Sequence, residues 1–398
     1  MNDVVHPQQE ASISGEVPPQ PRSLRELIER VSGKGLPLPA GEGDSGLLEV
    51  LPFPFMALVG QQEMRLALLL ALINPAVGGV LLIGPRGTGK TTAVRSLVDL
   101  LPQVPRSLCY YGCMPEDVES GGIDAVCPDC ARKYGQSEPL AAMDRVRLVE
   151  LPLNARLEDV VGGIDERIAI HERLRLRRGI LAQADRNLLY VDEVNLLADD
   201  VADAILDAAA QGSFTVRRGP ISASYHSRFV LIGSMNPEEG RLRPQILDRF
   251  GLRVVVRGLK DPAERLEAYR RVQTYQSNPR RAIAGYADVT ALAGAEIQLA
   301  RDLLPQVILP DEVARLGLRL VNHLQIDSLR AEITLFEASR AYAAAEGRLS
   351  ICADDLSRIA AMSLRLRRSV FITEYLAQQS VEENEIINIL DHTFTNGG

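Results

Sequence analysis

The chain has 398 residues, of which 46% are hydrophobic and 24% charged, and its formal net charge at pH 7 is −8. This length exceeds one comfortable hydrophobic core, so two packed domains plus a tail are expected, and the composition is ordinary for a soluble globular protein. The acidic balance argues against a broadly basic nucleic-acid-binding surface. The most apolar stretch is interrupted by Asn74-Pro75 and by Gly78-Gly79, which argues against a membrane span. No signal segment is visible at the N-terminus, so a cytoplasmic location is expected.

Changes in texture divide the chain into segments. Residues 1–22 are rich in Pro, Gln, Ser and Glu, which predicts disorder. Short apolar strands then alternate with helical patterns until Asp261-Pro262, after which apolar residues recur at helical spacing. The predicted segments are a disordered tail, an α/β domain with a parallel sheet, a helical linker and an all-helical domain, over 1–45, 46–260, 261–300 and 301–398. The candidate strands span 80–83, 148–151, 187–191, 229–233 and 252–256.

A glycine-rich loop follows the first candidate strand. It reads Gly84-Pro85-Arg86-Gly87-Thr88-Gly89-Lys90-Thr91 and leads into a helical pattern, the setting of the phosphate loop of a nucleoside triphosphatase. Its glycines let backbone N–H groups turn toward the β- and γ-phosphates, and the helix N-terminus adds its dipole. Lys90 supplies a positive charge, and the Thr91 hydroxyl is a ligand for Mg²⁺. The whole loop is therefore predicted to bind ATP or GTP.

Four cysteines cluster after the phosphate loop. Cys109, Cys113, Cys127 and Cys130 have the spacing C-x₃-C-x₁₃-C-x₂-C, and loop-forming residues separate them. Three interpretations stay open: a structural Zn²⁺ site, redox control through a local disulfide between the last two, and free thiols. The fifth, Cys352, is expected to be a packing residue. We assign none of the histidines as a metal ligand; they are His6, His171, His226, His323 and His392.

An apolar strand ending in two carboxylates lies about 100 residues after the phosphate loop. It reads Leu188-Leu189-Tyr190-Val191-Asp192-Glu193. In such enzymes the first acid helps to hold Mg²⁺ and the second polarises the attacking water. Asp192 is therefore the predicted metal-side residue and Glu193 the predicted general base.

Polar residues after the next strand complete the predicted site. Asn236 stands at the end of the strand over 229–233, where a polar side chain can touch the attacking water or the γ-phosphate; the alternative is a turn-forming Asn-Pro. Arg249 is the predicted arginine finger, which stabilises transition-state charge at a neighbouring subunit's nucleotide, with Arg243 second. The alternative for Arg249 is a surface ion pair with Asp248.

Further features lie on either side of this group. Residues 214–225 alternate about a Gly-Pro turn, which predicts a β-hairpin, and 157–178 form a second insertion. Arg330 opens a helix of the predicted helical domain and is expected to contact phosphate from the lid side.

These parts, in this order, resemble the AAA+ ring ATPases, and several segments look like the ATPase (I) subunit of magnesium chelatase. The likeness extends from about residue 52 to the C-terminus and leaves 1–45 unexplained. Asn187 departs from the family, which usually has Gly there. The segments that carry the likeness are Phe53-Pro54-Phe55, Leu58-Val59-Gly60-Gln61, the runs 179–186 and 190–197, and the run 233–251 with Gly233-Ser234-Met235-Asn236-Pro237 and Leu247-Asp248-Arg249-Phe250-Gly251.

The resemblance implies a P-loop AAA+ domain with β-hairpin insertions and a helical lid, assembled as a homohexameric ring. It implies ATP hydrolysis coupled to Mg²⁺ insertion into protoporphyrin IX, in chlorophyll or bacteriochlorophyll biosynthesis for photosynthesis. Its implied partners are a porphyrin-binding large subunit and a bridging AAA+-like subunit, with the hairpins lining a pore or a partner surface. Family members in photosynthetic tissue also respond to thiol state, which is why redox control stays among the cysteine interpretations.

Three rival functions share parts of this pattern. A related MoxR-like or cobaltochelatase-like AAA+ ATPase that remodels another metalloprotein has every motif. A nucleic-acid translocase would use Arg217 and Arg218 at the hairpin turn, but the net charge and the 5% aromatic content argue against it. A nucleotide switch without turnover is disfavoured by Glu193 and Arg249.

Overall fold

The computed structural model describes residues 51–101, 103–109, 111–164, 176–218, 221–240 and 242–368. The predicted disordered tail and the last part of the predicted helical domain, 369–398, lie outside the described residues. From Leu51 onward the described residues belong to one compact unit.

Among the described residues, five parallel strands form the central sheet, and six further strands form three antiparallel pairs. The strands are β1 (Val80–Ile83), β2 (Gln103–Ser107), β3 (Ala141–Arg145), β4 (Leu148–Leu151), β5 (Gly162–Ile164), β6 (Leu176–Arg178), β7 (Leu188–Val191), β8 (Ser213–Arg218), β9 (Ile221–His226), β10 (Val230–Met235) and β11 (Leu252–Val255). The sheet order is β11-β1-β10-β7-β4, and the antiparallel pairs are β2–β3, β5–β6 and β8–β9.

The predicted α/β class with a parallel sheet is confirmed. All five candidate strands are present, with ends within two residues of the predicted ones. β1, β7 and β10 are buried along their whole length, which explains their continuous apolar runs: helices cover both faces of the sheet. The hairpin predicted over 214–225 is β8–β9, in register from Ser213 opposite His226 to Arg218 opposite Ile221.

The described α-helices lie before, between and after the strands. They are α1 (Gln62–Ile73), α2 (Lys90–Arg95), α3 (Pro115–Gly121), α4 (Pro128–Gly135), α5 (Leu157–Val161), α6 (Ile180–Gln183), α7 (Asp199–Gln211), α8 (Pro244–Arg249), α9 (Pro262–Ser277), α10 (Pro279–Ala284), α11 (Ala287–Leu303), α12 (Asp311–His323), α13 (Arg330–Ala345) and α14 (Ala353–Leu364). In the part of the chain that the structure describes, no helix combines the length and apolar character that crossing a membrane requires.

Two hydrophobic cores pack on the two faces of the sheet. One core joins α1 to β1 and extends without a break into α11, α13 and α14. The other joins β7 and β10 to α7, with Ile205 and Leu206 pointing into it. The C-terminal helices are therefore packed on the central sheet, and the division predicted at 260 and 300 stays a prediction.

Buried arginines tie these helices to the sheet. Arg253 in β11 is fully buried and donates to the carbonyl oxygen of Arg365 at 2.9 Å. Arg367 donates to the carbonyl oxygen of Gly251 at 3.1 Å and to Asp248 Oδ1 at 2.8 Å. Because these donors are desolvated and paired across the interface, they fix the helical region against β11. The Asp248 carboxylate is thereby occupied by its hydrogen bond with Arg367.

Candidate functional site

The predicted nucleotide residues meet at the carboxyl edge of the sheet. β10 lies between β1 and β7, with Ile83 opposite Met235 and Gly233 opposite Val191. The loops that leave these three strands therefore share one edge, as expected at a ligand site of a parallel sheet. They enclose a cavity of about 310 Å³, lined by Arg86, Gly87, Thr88, Gly89, Lys90, Thr91, Thr92, Asp192, Glu193, Ser234, Met235 and Asn236.

The backbone of the phosphate loop needs glycine at two kinds of position. Gly87 and Gly89 have φ of 78° and 85°, in the left-handed region that disfavours a side chain. Gly84 is needed for close approach instead, since a Cβ there would lie 2.2 Å from the carbonyl oxygen of Val256. Gly89 is the N-cap of α2, so the free N–H groups of that helix face the loop.

Lys90 is held inside the loop that it is predicted to serve. Its Nζ donates to the carbonyl oxygens of Gly84 at 2.6 Å and Pro85 at 2.8 Å, and the residue is only 8% exposed. Burial lowers the pKa of Lys90, and the nearby Asp192 carboxylate opposes that shift. The ammonium is therefore a desolvated cation with weak neutral acceptors, which phosphate oxygens can replace.

A hydrogen-bonded row of side chains forms the predicted metal side. Tyr190 Oη donates to Asp192 Oδ1 at 2.9 Å and lies 3.1 Å from Thr91 Oγ1. Because the only proton of the Tyr190 hydroxyl is used toward Asp192, the Thr91 hydroxyl donates to Tyr190 Oη. Ser234 Oγ donates to the same Asp192 oxygen. Burial raises the pKa of Tyr190 to about 12, so its hydroxyl remains a donor at neutral pH. These oxygens are of the type that Mg²⁺ prefers and are already gathered, so the residues present fit the ion.

Glu193 is fixed by both its backbone and its side chain. It has φ 49° and ψ 51°, a left-handed conformation unusual outside glycine, and its N–H donates to Ser234 Oγ at 3.3 Å. Its carboxylate accepts from Arg86 Nη2 at 2.8 Å, and Arg86 also pairs with Glu239 at 2.7 Å. The guanidinium of Arg86 is therefore shared between the predicted base, Glu193, and a second carboxylate, Glu239.

Asn236 lies where the sequence interpretation expected it. It follows β10 directly, is 4% exposed, and lines the same cavity as Lys90 and Glu193. Its Oδ1 accepts from the N–H of Glu238 at 3.3 Å, so the turn-forming role exists too.

Arg249 and Arg330 lie at the opposite edge of the sheet. They line a separate cavity of about 230 Å³ beside Gly78 and Gly79, which precede β1. Gly78 is six residues before Gly84, which corresponds to about 20 Å of extended chain. Neither arginine therefore reaches the phosphate loop of its own chain.

Within the chain, Arg249 does not form the ion pair with Asp248 that was the alternative to its finger role. Arg249 Nη1 pairs with Asp207 and not with Asp248, which is held by Arg367 and by Ser328. Arg243 pairs with Asp199 at 2.6 Å. The proposed surface pair between Arg249 and Asp248 is thus wrong in its partner, because the buried arginines of the helical region occupy that carboxylate.

Several known proteins are similar to this chain. The AAA lid domain family matches residues 319–389. The magnesium-chelatase subunit ChlI homolog of Methanocaldococcus jannaschii is 40% identical over 335 residues, 83% of this chain and 90% of that protein. The magnesium-chelatase subunit ChlI of Synechocystis sp. is 41% identical over 318 residues, 79% of this chain and 88% of that protein. The solved structure of a putative ATPase from Cytophaga hutchinsonii is 19% identical, covers 78% of this chain and 83% of its own, and has a TM-score of 0.51.

Two-fifths identity along nearly the whole of these relatives decides the family. The chain belongs to the magnesium-chelatase subunit ChlI family. The Cytophaga hutchinsonii structure, at lower identity, supports the fold alone.

Two residues of this ChlI-family site were missed by the sequence interpretation. Tyr190 and Ser234 connect Thr91, Asp192 and Glu193, yet neither was singled out. The sequence did contain a signal for Ser234. If β10, which precedes Asn236, is placed beside β7, which precedes Asp192, in parallel register, Ser234 falls next to Asp192. Tyr190 had no comparable signal, because an aromatic residue in an apolar strand is typical of core packing.

The four clustered cysteines of this ChlI-family chain converge in space. Their sulfur atoms all lie within 4.8 Å of one another. Cys113 and Cys130 are buried, and burial raises the pKa of the Cys113 thiol to about 12.

The fifth cysteine lies outside this cluster. The prediction that Cys352 is a packing residue is wrong, because Cys352 is exposed and forms the N-cap of α14.

Proposed function

We propose that this chain is the ATP-hydrolysing motor subunit of a magnesium chelatase and drives Mg²⁺ insertion into protoporphyrin IX in chlorophyll or bacteriochlorophyll biosynthesis. The observation that carries the proposal is the convergence of Lys90, Asp192, Glu193 and Asn236 on one cavity in a chain of the ChlI family. The curated relatives carry the name of magnesium-chelatase subunits, which supports the same assignment.

Hydrolysis follows from the roles of these side chains. The phosphate loop and Lys90 bind the β- and γ-phosphates, and Thr91 and Asp192 hold the Mg²⁺ of MgATP. The bound ion neutralises charge on the phosphates. Glu193 accepts a proton from a water molecule that Asn236 orients; the water oxygen bonds to the γ-phosphorus while the bond to the β–γ bridging oxygen breaks and ADP leaves.

The remaining charge stabilisation comes from a neighbouring subunit. Arg249 and Arg330 lie at the far edge of the sheet from the phosphate loop of their own chain. A head-to-tail ring, with six copies proposed, brings that edge to the next subunit's nucleotide. Arg249 then acts as the finger, and Arg330, from the lid helices, contacts the same phosphates.

The ring transmits the work of hydrolysis to partners. These are the porphyrin-binding large subunit, where insertion takes place, and a bridging AAA+-like subunit. The antiparallel β5–β6 and β8–β9 strand pairs are the proposed pore or partner contacts.

Reconstitution tests the proposal. The protein is mixed with the two partner subunits, protoporphyrin IX, Mg²⁺ and ATP, and the fluorescence of Mg-protoporphyrin is followed. Product is expected with the wild type and none with Lys90→Ala. ATP hydrolysis without product, with partners shown to be active with another motor subunit, would contradict the chelatase role and favour a remodelling ATPase.

A further inference from the structure

The four clustered cysteines are arranged like the corners of a metal site. Cys109 Sγ lies 3.7 Å from Cys113 Sγ and 3.5 Å from Cys127 Sγ. Four sulfurs at about 2.3 Å from a tetrahedral Zn²⁺ lie roughly 3.8 Å apart, so these separations match the edges of such a tetrahedron. A disulfide instead needs a sulfur–sulfur distance of about 2.05 Å.

Backbone N–H groups already point at two of the sulfurs. The N–H of Tyr111 donates to Cys109 Sγ at 3.2 Å, and the N–H of Cys127 donates to Cys113 Sγ at 3.3 Å. Donors of this kind stabilise the charged form of a thiol and orient it as a ligand. Thiols that pack only as small hydrophobic groups do not require such N–H donors. The two N–H···S hydrogen bonds therefore favour sulfur atoms that act as ligands.

Local backbone structure supports the same arrangement. Gly112 has φ 79° and makes the turn that returns the chain from Cys109 to Cys113. Cys127 is the N-cap of α4, and Cys130 lies in its first turn. The positive end of that helix dipole therefore faces the thiolates that a metal requires.

The segment that carries the cysteines, residues 108–140 and here called the cysteine module, has a very small core. Apart from the cysteines, the buried side chains among its described residues are Met114, Val118, Val126 and Leu140. So few apolar side chains do not stabilise an independent module, and segments of this kind commonly depend on a metal or a covalent link.

Ion pairs join the cysteine module to the ATPase core. Glu116 pairs with Arg186 at 2.5 Å, just before β7, and Asp117 pairs with His226 at 2.7 Å, at the end of β9. An ordered module thus contacts both the strand that leads to Asp192 and the β8–β9 hairpin.

We propose that Cys109, Cys113, Cys127 and Cys130 bind one Zn²⁺ ion as four thiolates, and that this ion orders the cysteine module. The full tetrahedron of protein ligands leaves no open position for a substrate, so the site is structural. Binding expels the thiol protons to solvent, and zinc affinity falls as the pH is lowered.

Metal analysis tests the proposal in the full chain. The purified protein is exchanged into zinc-free buffer, and bound zinc is counted by mass spectrometry; about one Zn²⁺ per chain is expected. Cys352→Ser, which changes the exposed cysteine outside the cluster, should keep it. Cys127→Ser and Cys130→Ser should each lose most of it. A wild-type value well below one, together with failure of the reduced protein to take up added Zn²⁺, overturns the proposal.

Two further measurements keep the test decisive if a variant folds poorly. Co²⁺ added to the reduced wild type should give sulfur-to-cobalt charge-transfer absorption and intense tetrahedral d–d bands at one equivalent, and Zn²⁺ should abolish them. Thiols counted in denaturant with chelator should number five, the total in the chain. A count lower by two in protein purified without reductant would show a disulfide and overturn the zinc assignment. None of these readouts depends on chelatase activity.

Discussion

At the residue scale, the candidate site contains a carboxylate that is held by an arginine of the phosphate loop. Glu193 accepts from Arg86, and the same guanidinium pairs with Glu239. Arg86 is itself 70% exposed in its side chain, so the ion pair is solvent-screened and easily rearranged. Under the proposed function, we expect a phosphate group bound in the loop to compete for Arg86 and to release Glu193.

Replacing Glu193 by Gln separates binding from chemistry. The amide keeps the shape of the side chain but accepts no proton, so ATP affinity should change little while kcat falls by about 10²–10⁴-fold. Equilibrium binding of a fluorescent ATP analogue and steady-state phosphate release measure the two effects. Glu239→Gln is the matched control, since it removes the other carboxylate on Arg86 and should leave most of the turnover. Near-normal turnover of Glu193→Gln would refute the role of general base.

At the element scale, α14 begins on a buried carboxylate. Asp355 is 1% exposed, accepts from the N–H of Cys352 at 2.8 Å, and takes two hydrogen bonds from Arg348, at 2.8 and 2.5 Å. The Asp355 carboxylate therefore accepts the N–H of the N-cap residue and also holds Arg348 in the turn before the helix. Burial alone raises the pKa of Asp355, but the hydrogen bonds from Arg348 and Cys352 outweigh it, and the net pKa is lowered.

Asp355→Asn should destabilise the protein by about 1–3 kcal/mol at pH 7, because it removes a charge-assisted pair and leaves polar groups less well satisfied. A carboxylate with a lowered folded pKa contributes stability above its unfolded pKa and loses it as the pH falls through the folded value. The difference between wild type and variant should therefore shrink below about pH 4. Urea unfolding at several pH values measures it. Asp354→Asn, at an exposed neighbouring position, is the control, and an equal loss there would contradict the argument.

At the scale of the whole molecule, the two halves of the proposed catalytic machinery lie on opposite edges of one sheet. Lys90 and Glu193 are at the carboxyl edge, and Arg249 is near the amino end of β1. Because one sheet keeps them apart, we propose that the active site is completed between neighbouring chains.

Mixing two inactive variants tests this geometry. Lys90→Ala and Arg249→Ala should each abolish hydrolysis in assembled rings, and their mixture should regain activity at interfaces that join an intact Lys90 to an intact Arg249. Random mixing makes such interfaces about a quarter of the total. A mixture of Lys90→Ala with Glu193→Gln is the control: both defects lie in the same half-site, so no activity should return. Absence of rescue in the first mixture, with rings confirmed by sizing, would mean that Arg249 acts within its own chain.

Much of the fold followed from patterns that are local in the chain. The phosphate loop, the strand ending in Asp192 and Glu193, and the β8–β9 hairpin each consist of neighbouring residues, so strand periodicity and turn chemistry predicted them. The likeness to the magnesium-chelatase ATPase subunit also rested on such runs, and the comparisons confirmed it. Roles for Asn236, Arg249 and Arg330 stay predictions that the geometry accommodates.

The tertiary structure alone decided contacts between residues far apart in sequence. Arg86 meets Glu193 across 107 positions, Arg249 pairs with Asp207 because Asp248 is taken by the helical region, and Cys352 is exposed although its type is commonly buried. The linkage of Thr91, Tyr190, Asp192 and Ser234 depends on β10 lying between β1 and β7. Residue spacing encodes the period of one element, whereas the order of strands in a sheet depends on how all the apolar faces are buried together, and that is settled only in the folded chain.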